Sequence, residues 1–227
     1  VTQAAAEHLT HLKTYLPEAG TIIRQGTAVS EITAVCRSGG YDMIVVGEPT
    51  VPGIGATTAA SVSQSLANQA PASVLVARPT TGPIGRILIC DSGLPVSRPV
   101  IRQGARVAQA AGATVRLLHV ADPVPQMYTG LNTMAETAAD LLATDTPIAN
   151  RLRWARDYLA DAAVPTEMVL RHGLALDEIG HETQSEAYDL VVLGAPRRQT
   201  LWQSLLMGQV APKVVEQVDS PVLVVRH

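Results

Sequence analysis

The passage 24-RQGTAVSEITAVCRSGGYDMIVVGEP-49 returns 147 residues later, without a gap, as 171-RHGLALDEIGHETQSEAYDLVVLGAP-196. Arg, Gly, Ala, Glu-Ile, Ser, Tyr-Asp, Val, Gly and Pro recur in register. Self-similarity at a fixed period marks a repeated structural unit. Further on, 74-VLVAR-78 answers 222-VLVVR-226 at an offset of 148, which places one extra residue in the loop after Gly194.

Working outward from the second copy, short apolar runs alternate with amphipathic stretches. Strands are expected at 86-RILICD-91, 114-TVRLLHV-120, 166–171, 189–194 and 221–226. Helices are expected at 97–111, closed by Gly112, and at 175–186 and 209–218. Another helix, at 148–163, would put Ile148, Leu152, Ala155, Leu159 and Ala162 on one face. Residues 121–147, rich in Pro, Thr and Ala, read as a long loop or a loosely helical excursion. Near-continuous apolar strands alternating with helices imply a parallel sheet covered on both faces. In a doubly wound sheet the first strand is central.

The first copy starts further along the pattern. Val1 aligns with Ile148, so the first strand, first helix and second strand have no counterpart in residues 1–80. The expected organisation is an incomplete first repeat at 1–80, a linker at 81–84 and a complete repeat at 85–227. A half-domain of this kind should expose apolar strand edges. The expectation is therefore a fragment of a longer tandem protein, its missing elements supplied upstream or by another chain.

Composition narrows the function classes. At 47% hydrophobic and 16% charged residues the chain can bury a large core, and a net charge of −3 gives no attraction for nucleic acid or an anionic membrane. Two cysteines, Cys36 and Cys90, make no disulfide framework, so a reducing cytoplasm is expected. No apolar run approaches the roughly 20 residues of a membrane span. The six histidines lack metal-motif spacing, and no nucleophile elbow is present. The segment 38-SGGYD-42 looks like a pyrophosphatase loop. A helix precedes it and a strand follows it, the reverse of what that loop needs, so it reads as a helix-to-strand turn closed by Gly39 or Gly40. Cys90 reads as a small strand residue, and Trp154 and Trp202 as packing residues.

Five separated signatures of the complete copy resemble the universal stress protein family: 89-ICDSG-93, 118-LHVADP-123, 171-RHG-173, 188-YDLVVLG-194 and 219-DSPVLVVR-226; the Gly194 loop with Gly208 keeps the position but departs from the family's pattern. The resemblance implies a flavodoxin-like or adenine-nucleotide-binding α/β fold with a five-stranded parallel sheet, here in tandem. It also implies pairing through the last strands, 74–78 and 222–226, as a homodimer or pseudo-dimer. Some members bind ATP through a loop of the form G-x-x-G, nine residues, then G-[ST]. Glycines there let backbone amides approach phosphate oxygens at a helix N-terminus.

Carried onto this sequence, Gly194 matches the first loop glycine. Arg197 stands at the second, one residue is inserted before Gly208, and Gln209 replaces the Ser/Thr. Pro196 removes an amide. Two readings stay open: a strand-to-helix turn that keeps Gly194 and Gly208 for geometry, or a nucleotide loop in which Arg197 or Arg198 supplies charge in place of amides. Asp91 matches a residue near adenine and ribose but could equally cap a turn. Val120 matches a position whose backbone faces adenine. In the first copy, 47-GEPTVPGIGATTAAS-61 keeps the spacing, with Thr50 and Ala60 replacing glycines and Ser61 keeping the hydroxyl. No complete site is expected there. The sequence thus reads as a regulatory or binding protein, not an enzyme, with at most weak ATP binding in the second repeat and no metal. The alternatives are a non-nucleotide interaction module such as a transporter tail, or a slow ATPase.

Overall fold

The computed structural model describes residues 9–10, 13–47, 54–94, 97–121, 137–195 and 210–226, with the backbone alone for 54–61. The first repeat contributes α1 (Ala28–Gly39), β1 (Met43–Gly47), α2 (Ile54–Gln69) and β2 (Ser73–Ala77). The second contributes β3 (Arg86–Asp91), α3 (Arg98–Ala111), β4 (Thr114–Ala121), α4 (Ala138–Ala143) and α5 (Pro147–Asp161). It continues through β5 (Thr166–His172), α6 (Ala175–Ser185), β6 (Leu190–Ala195), α7 (Val210–Gln217) and β7 (Val222–Arg226).

All seven strands join one sheet in the order β1-β2-β7-β6-β3-β4-β5. The complete repeat supplies five of them, with its own first strand in the centre. Numbered within that repeat, its order is 3-2-1-4-5, which is the nucleotide-binding winding rather than the flavodoxin one, 2-1-3-4-5. Every described pairing is parallel except one. β2 meets β7 antiparallel, with Leu75 opposite Leu223 and Val74 opposite Val224, and this seam fuses the repeats into a continuous sheet.

The strand sequences account for this layout. β6 and β7 are buried along almost their whole length, as strands covered on both faces must be. One face carries α3 and α5 over Ile87, Ile89, Leu117 and Val192. The other carries the helices of both repeats, with Leu66 contributed by α2, over Val74, Leu118, Val191 and Val224, so a single apolar core crosses the seam. β1 alternates instead, with Ile44 buried and Val45 exposed.

Local signals set the element ends. Gly40 closes α1 with φ 66°, a left-handed conformation that costs glycine little, so 38-SGGYD-42 is a helix-to-strand turn as expected. Thr146 caps α5 by accepting from the Ala149 N–H at 3.2 Å, with Pro147 in the first turn where a missing N–H costs nothing. α4 lies within the 121–147 excursion and opens with a reciprocal Thr137–Asp140 capping box.

One expectation needs correction. The inward face of α5 is Ala149, Arg151, Leu152, Ala155 and Leu159. Ile148, at the helix entry, is 40% exposed, whereas the charged Arg151 is 4% exposed. A carboxylate beneath the helix explains the inversion, as described below. Residues 19–24, the counterpart of β5 by sequence, form no strand. β5 is held by β4 alone, and the described first repeat has no counterpart of β4 to hold residues 19–24.

Candidate functional site

In an open α/β sheet, ligands sit at the carboxyl ends of the strands where the winding reverses. Here that point lies between β3 and β6, each running parallel to the other. Asp91 ends β3, and Val120 and Gly194 stand one residue before the ends of the adjacent strands β4 and β6, so the fold brings these three sequence candidates to one edge. Arg197, Arg198, Gly208 and Gln209 lie outside the described residues, as do Pro196, Trp202 and Thr50.

Asp91 is 3% exposed and enclosed by its own turn. Its Oδ1 accepts from the Gly93 N–H at 3.1 Å and from the Ser97 hydroxyl at 2.5 Å. Its Oδ2 faces the Arg151 guanidinium at 3.4 Å and is buried without a hydrogen bond. Arg151 reaches down from α5, donating from Nη2 to Ser97 Oγ at 3.1 Å and from Nε to the Leu94 carbonyl at 3.2 Å. His119, opposite Asp91 in the ladder, places Nδ1 2.9 Å from the Asp91 carbonyl oxygen. A carbonyl only accepts, so Nδ1 carries the hydrogen. Gly93 sits at φ 73°, and a Cβ there would come within 2.8 Å of His119 Cε1, so this turn admits no side chain.

Arg151 is a residue the sequence reading missed. Burial lowers its pKa, with Asp91 opposing that effect and Arg98 adding to it. Both arginines lie against Trp154, with guanidinium carbons 4.6 Å (Arg151) and 4.8 Å (Arg98) from the ring, and Trp154 stacks on Tyr158 at 5.3 Å. The available signal was a charged residue inside the apolar spacing of 148–163. Trp154 therefore packs under guanidinium groups, in keeping with its reading as a packing residue.

A second polar cluster lies behind the same strands. Glu182, fully buried, accepts from Arg116 at 2.8 Å, from Arg171 at 2.5 Å and from the Tyr188 hydroxyl at 2.5 Å. Burial by itself would raise its pKa. Hydrogen bonds from Tyr188, Arg116 and Arg171 outweigh that and hold the carboxyl down at about 2. Cys90, on β3 between the two clusters, is pushed up to about 12 by burial of its thiol and then by Glu182 and Asp91. It is therefore an unreactive thiol at neutral pH. Among the described residues no group of His, Cys, Asp and Glu could hold a metal ion, and no helix is long and apolar enough to cross a membrane.

With this geometry in view, comparison with known proteins defines the class. The Universal stress protein family matches residues 2–78 and again residues 83–226. The chain belongs to the universal stress protein family and carries its domain twice in tandem. Among solved structures it is similar to a universal stress protein from Archaeoglobus fulgidus DSM 4304, with TM-score 0.69 and 16% identity over 100% of this chain and 77% of that one. It is also similar to a putative universal stress protein from Pseudomonas aeruginosa UCBPP-PA14, with TM-score 0.60 and 20% identity over 97% and 78%. A universal stress protein in complex with cAMP matches with TM-score 0.51 and 21% identity, covering 63% of this chain and 98% of that one. Identities this low speak for the fold alone. Comparison with curated proteins found no match.

Proposed function

We propose that this protein is a cytoplasmic regulatory module of the universal stress type, acting by binding rather than catalysis, with at most weak adenine-nucleotide binding in its second repeat. The observation that carries the reading is the state of Asp91. By resemblance this carboxylate lies near adenine and ribose. Here Oδ1 already has two internal donors, and Oδ2 is sealed against Arg151. A ribose hydroxyl would compete at Asp91 with the Gly93 N–H and the Ser97 hydroxyl, and displacing those internal bonds would weaken binding. A similar fold crystallised with cAMP supports an adenine nucleotide as the ligand class. In the loop, Arg197 or Arg198 would have to supply the charge that the missing glycine and hydroxyl no longer bring.

Calorimetric titration with ATP and with cAMP tests this. The expected result is a dissociation constant of about 0.1 mM or weaker, raised by Arg197→Ala, together with no phosphate release. Absence of saturable heat for both ligands would favour the interaction-module reading. Steady phosphate release that is lost in Arg197→Ala would favour a slow ATPase.

A further inference from the structure

Along α3 three arginines, Arg98, Arg102 and Arg106, recur at every fourth position, and all three are exposed. At a rise of about 1.5 Å per residue they form a ridge about 12 Å long, with about 6 Å between neighbours. The helix, 98-RPVIRQGARVAQAA-111, contains no acidic residue. Like charges at this spacing destabilise a helix, so the ridge does nothing for α3 itself. Arg102 and Arg106 make no hydrogen bond or ion pair among the described residues. Arg98, at one end, lies over the Trp154 ring at 4.8 Å, and Trp154 stacks on Tyr158. Towards the other end, Gln109 donates to the Ala162 carbonyl at 3.4 Å. The ridge therefore borders α5, which packs on β5 at the edge of the sheet remote from the β2–β7 seam. The cations of α5 are already matched: Arg151 by Asp91, Arg153 by Asp145 at 3.7 Å, and Arg156 by Asp157 at 2.8 Å. The ridge thus concentrates positive charge in a chain whose net charge is −3.

We propose that this face, the Arg98–Arg102–Arg106 ridge with Trp154 and Tyr158 beside it, docks an acidic amphipathic helix of a partner protein. The partner presents carboxylates at i, i+4 and i+8, which sets one opposite each guanidinium when the two helices lie nearly parallel or antiparallel. The guanidinium fork can meet each carboxylate with two parallel hydrogen bonds. An apolar residue one turn beyond the end carboxylate reaches the half-buried Trp154 and Tyr158. Exposed ion pairs alone bind weakly, so this aromatic contact is part of the site. Arginine, tryptophan and tyrosine are the residues in which interfaces concentrate their binding energy. Stacking on Trp154 holds Arg98 in place before docking, which reduces the entropy lost on binding. The positive charge does not spread beyond α3, because Asp157 neutralises Arg156 and Asp161 stands exposed on the same helix. A nucleic-acid duplex or an anionic membrane offers a broad field of phosphates and gains little from so narrow a ridge, whereas a single helix needs no more. The site does not depend on nucleotide binding by the second repeat.

The test uses the 227-residue chain and alanine-based helical peptides of roughly 20 residues, each labelled at one end. One carries glutamates at i, i+4 and i+8, with a leucine one turn beyond each end of the row. A second has glutamine in place of the glutamates, and a third scatters the same residues around the helix. Fluorescence anisotropy follows binding at low salt. The expected result is a dissociation constant on the order of 100 μM or tighter for the first peptide, with the other two at least about tenfold weaker. Raising the salt to about 0.3 M should weaken the first peptide as well. R102E/R106E should lose at least about tenfold in affinity while keeping the parent's melting temperature, since neither side chain has an internal partner. R102Q/R106Q, which removes charge without reversing it, should lose affinity in the same direction. The proposal is overturned if the parent binds none of the peptides, if the glutamine or scattered peptide binds as well as the first, or if neither double variant weakens binding. Tighter arginine-dependent binding to phosphatidylserine vesicles or to duplex DNA than to the first peptide would also overturn it, by making a phosphate surface the occupant.

Discussion

Arg78 and Arg226 hold equivalent positions in the two repeats and cross the β2–β7 seam in opposite directions. Arg226 donates to the carbonyls of Leu66 (3.0 Å) and Ala67 (2.7 Å) in the last turn of α2. Arg78 donates to Val218 (2.6 Å), Ser220 (2.7 Å) and Val215 at the end of α7. Each repeat thus closes the carboxyl end of the other's final helix, where orphan carbonyls and the helix dipole both favour a cation.

Burial lowers Arg226 to about 10, so it remains charged at neutral pH and needs those carbonyls. Arg226→Ala should cost about 2–3 kcal/mol, because hydrogen bonds to a charged group are lost and carbonyls are left uncapped. Arg78→Ala should cost less, because its side chain is only partly buried. Lysine should rescue neither fully, lacking the fork that meets two carbonyls at once. Urea denaturation of the variants measures this.

The Asp91–Arg151 pair should show strong energetic coupling. Asp91→Ala leaves a buried guanidinium opposed by nothing and should cost about 3–5 kcal/mol. The double variant Asp91→Ala/Arg151→Met should be more stable than the sum of the single losses by at least about 1 kcal/mol. A double-mutant cycle in urea checks it. Additive losses would show that the two groups do not sense each other.

Glu182 predicts the acid limb of stability. Its folded pKa lies at about 2 against an ordinary 4.5. The unfolded chain therefore binds the proton first as the pH falls. The stabilisation is fully present above pH 4.5, erodes below it and is gone at about pH 2, with a magnitude of at most about 3 kcal/mol. Glu182→Gln should flatten the stability profile across that window. Denaturant midpoints measured from pH 6 down to pH 2.5 would reveal it.

Equivalent valines should give unequal results. Val192→Ala opens a cavity in a sealed core and should cost about 2–3 kcal/mol, whereas Val45→Ala at an exposed site should stay within about 0.5 kcal/mol of the parent. Thermal melts of the pair distinguish the two environments.

The strands could be read from the sequence because each is a local apolar run, and because the repeat tied 43–47 to 190–194; their winding could not, since strand–helix alternation fits both the flavodoxin order and the nucleotide-binding one. Pairing of the last strands, 74–78 and 222–226, had no local signal and entered only through the resemblance; the antiparallel β2–β7 ladder is a contact between elements about 150 residues apart. Arg151 was not legible either, since a helical wheel ranks Ile148 above it. Only Asp91, on another element, reverses that order, and no local pattern signals a charge pair formed across the fold. The Glu182 cluster left a trace that went unused: Val35 stands opposite it in an otherwise matching stretch. Residues 19–24 carry the sequence of a strand, but a strand exists only where another offers its edge.

The position of β7 constrains the order of assembly. β7 lies between β2 and β6, so the strands of the first repeat cannot join those of the second until residues 222–226 are in place. On the ribosome, β1 and β2 must therefore wait, made but unjoined, while nearly 150 further residues emerge.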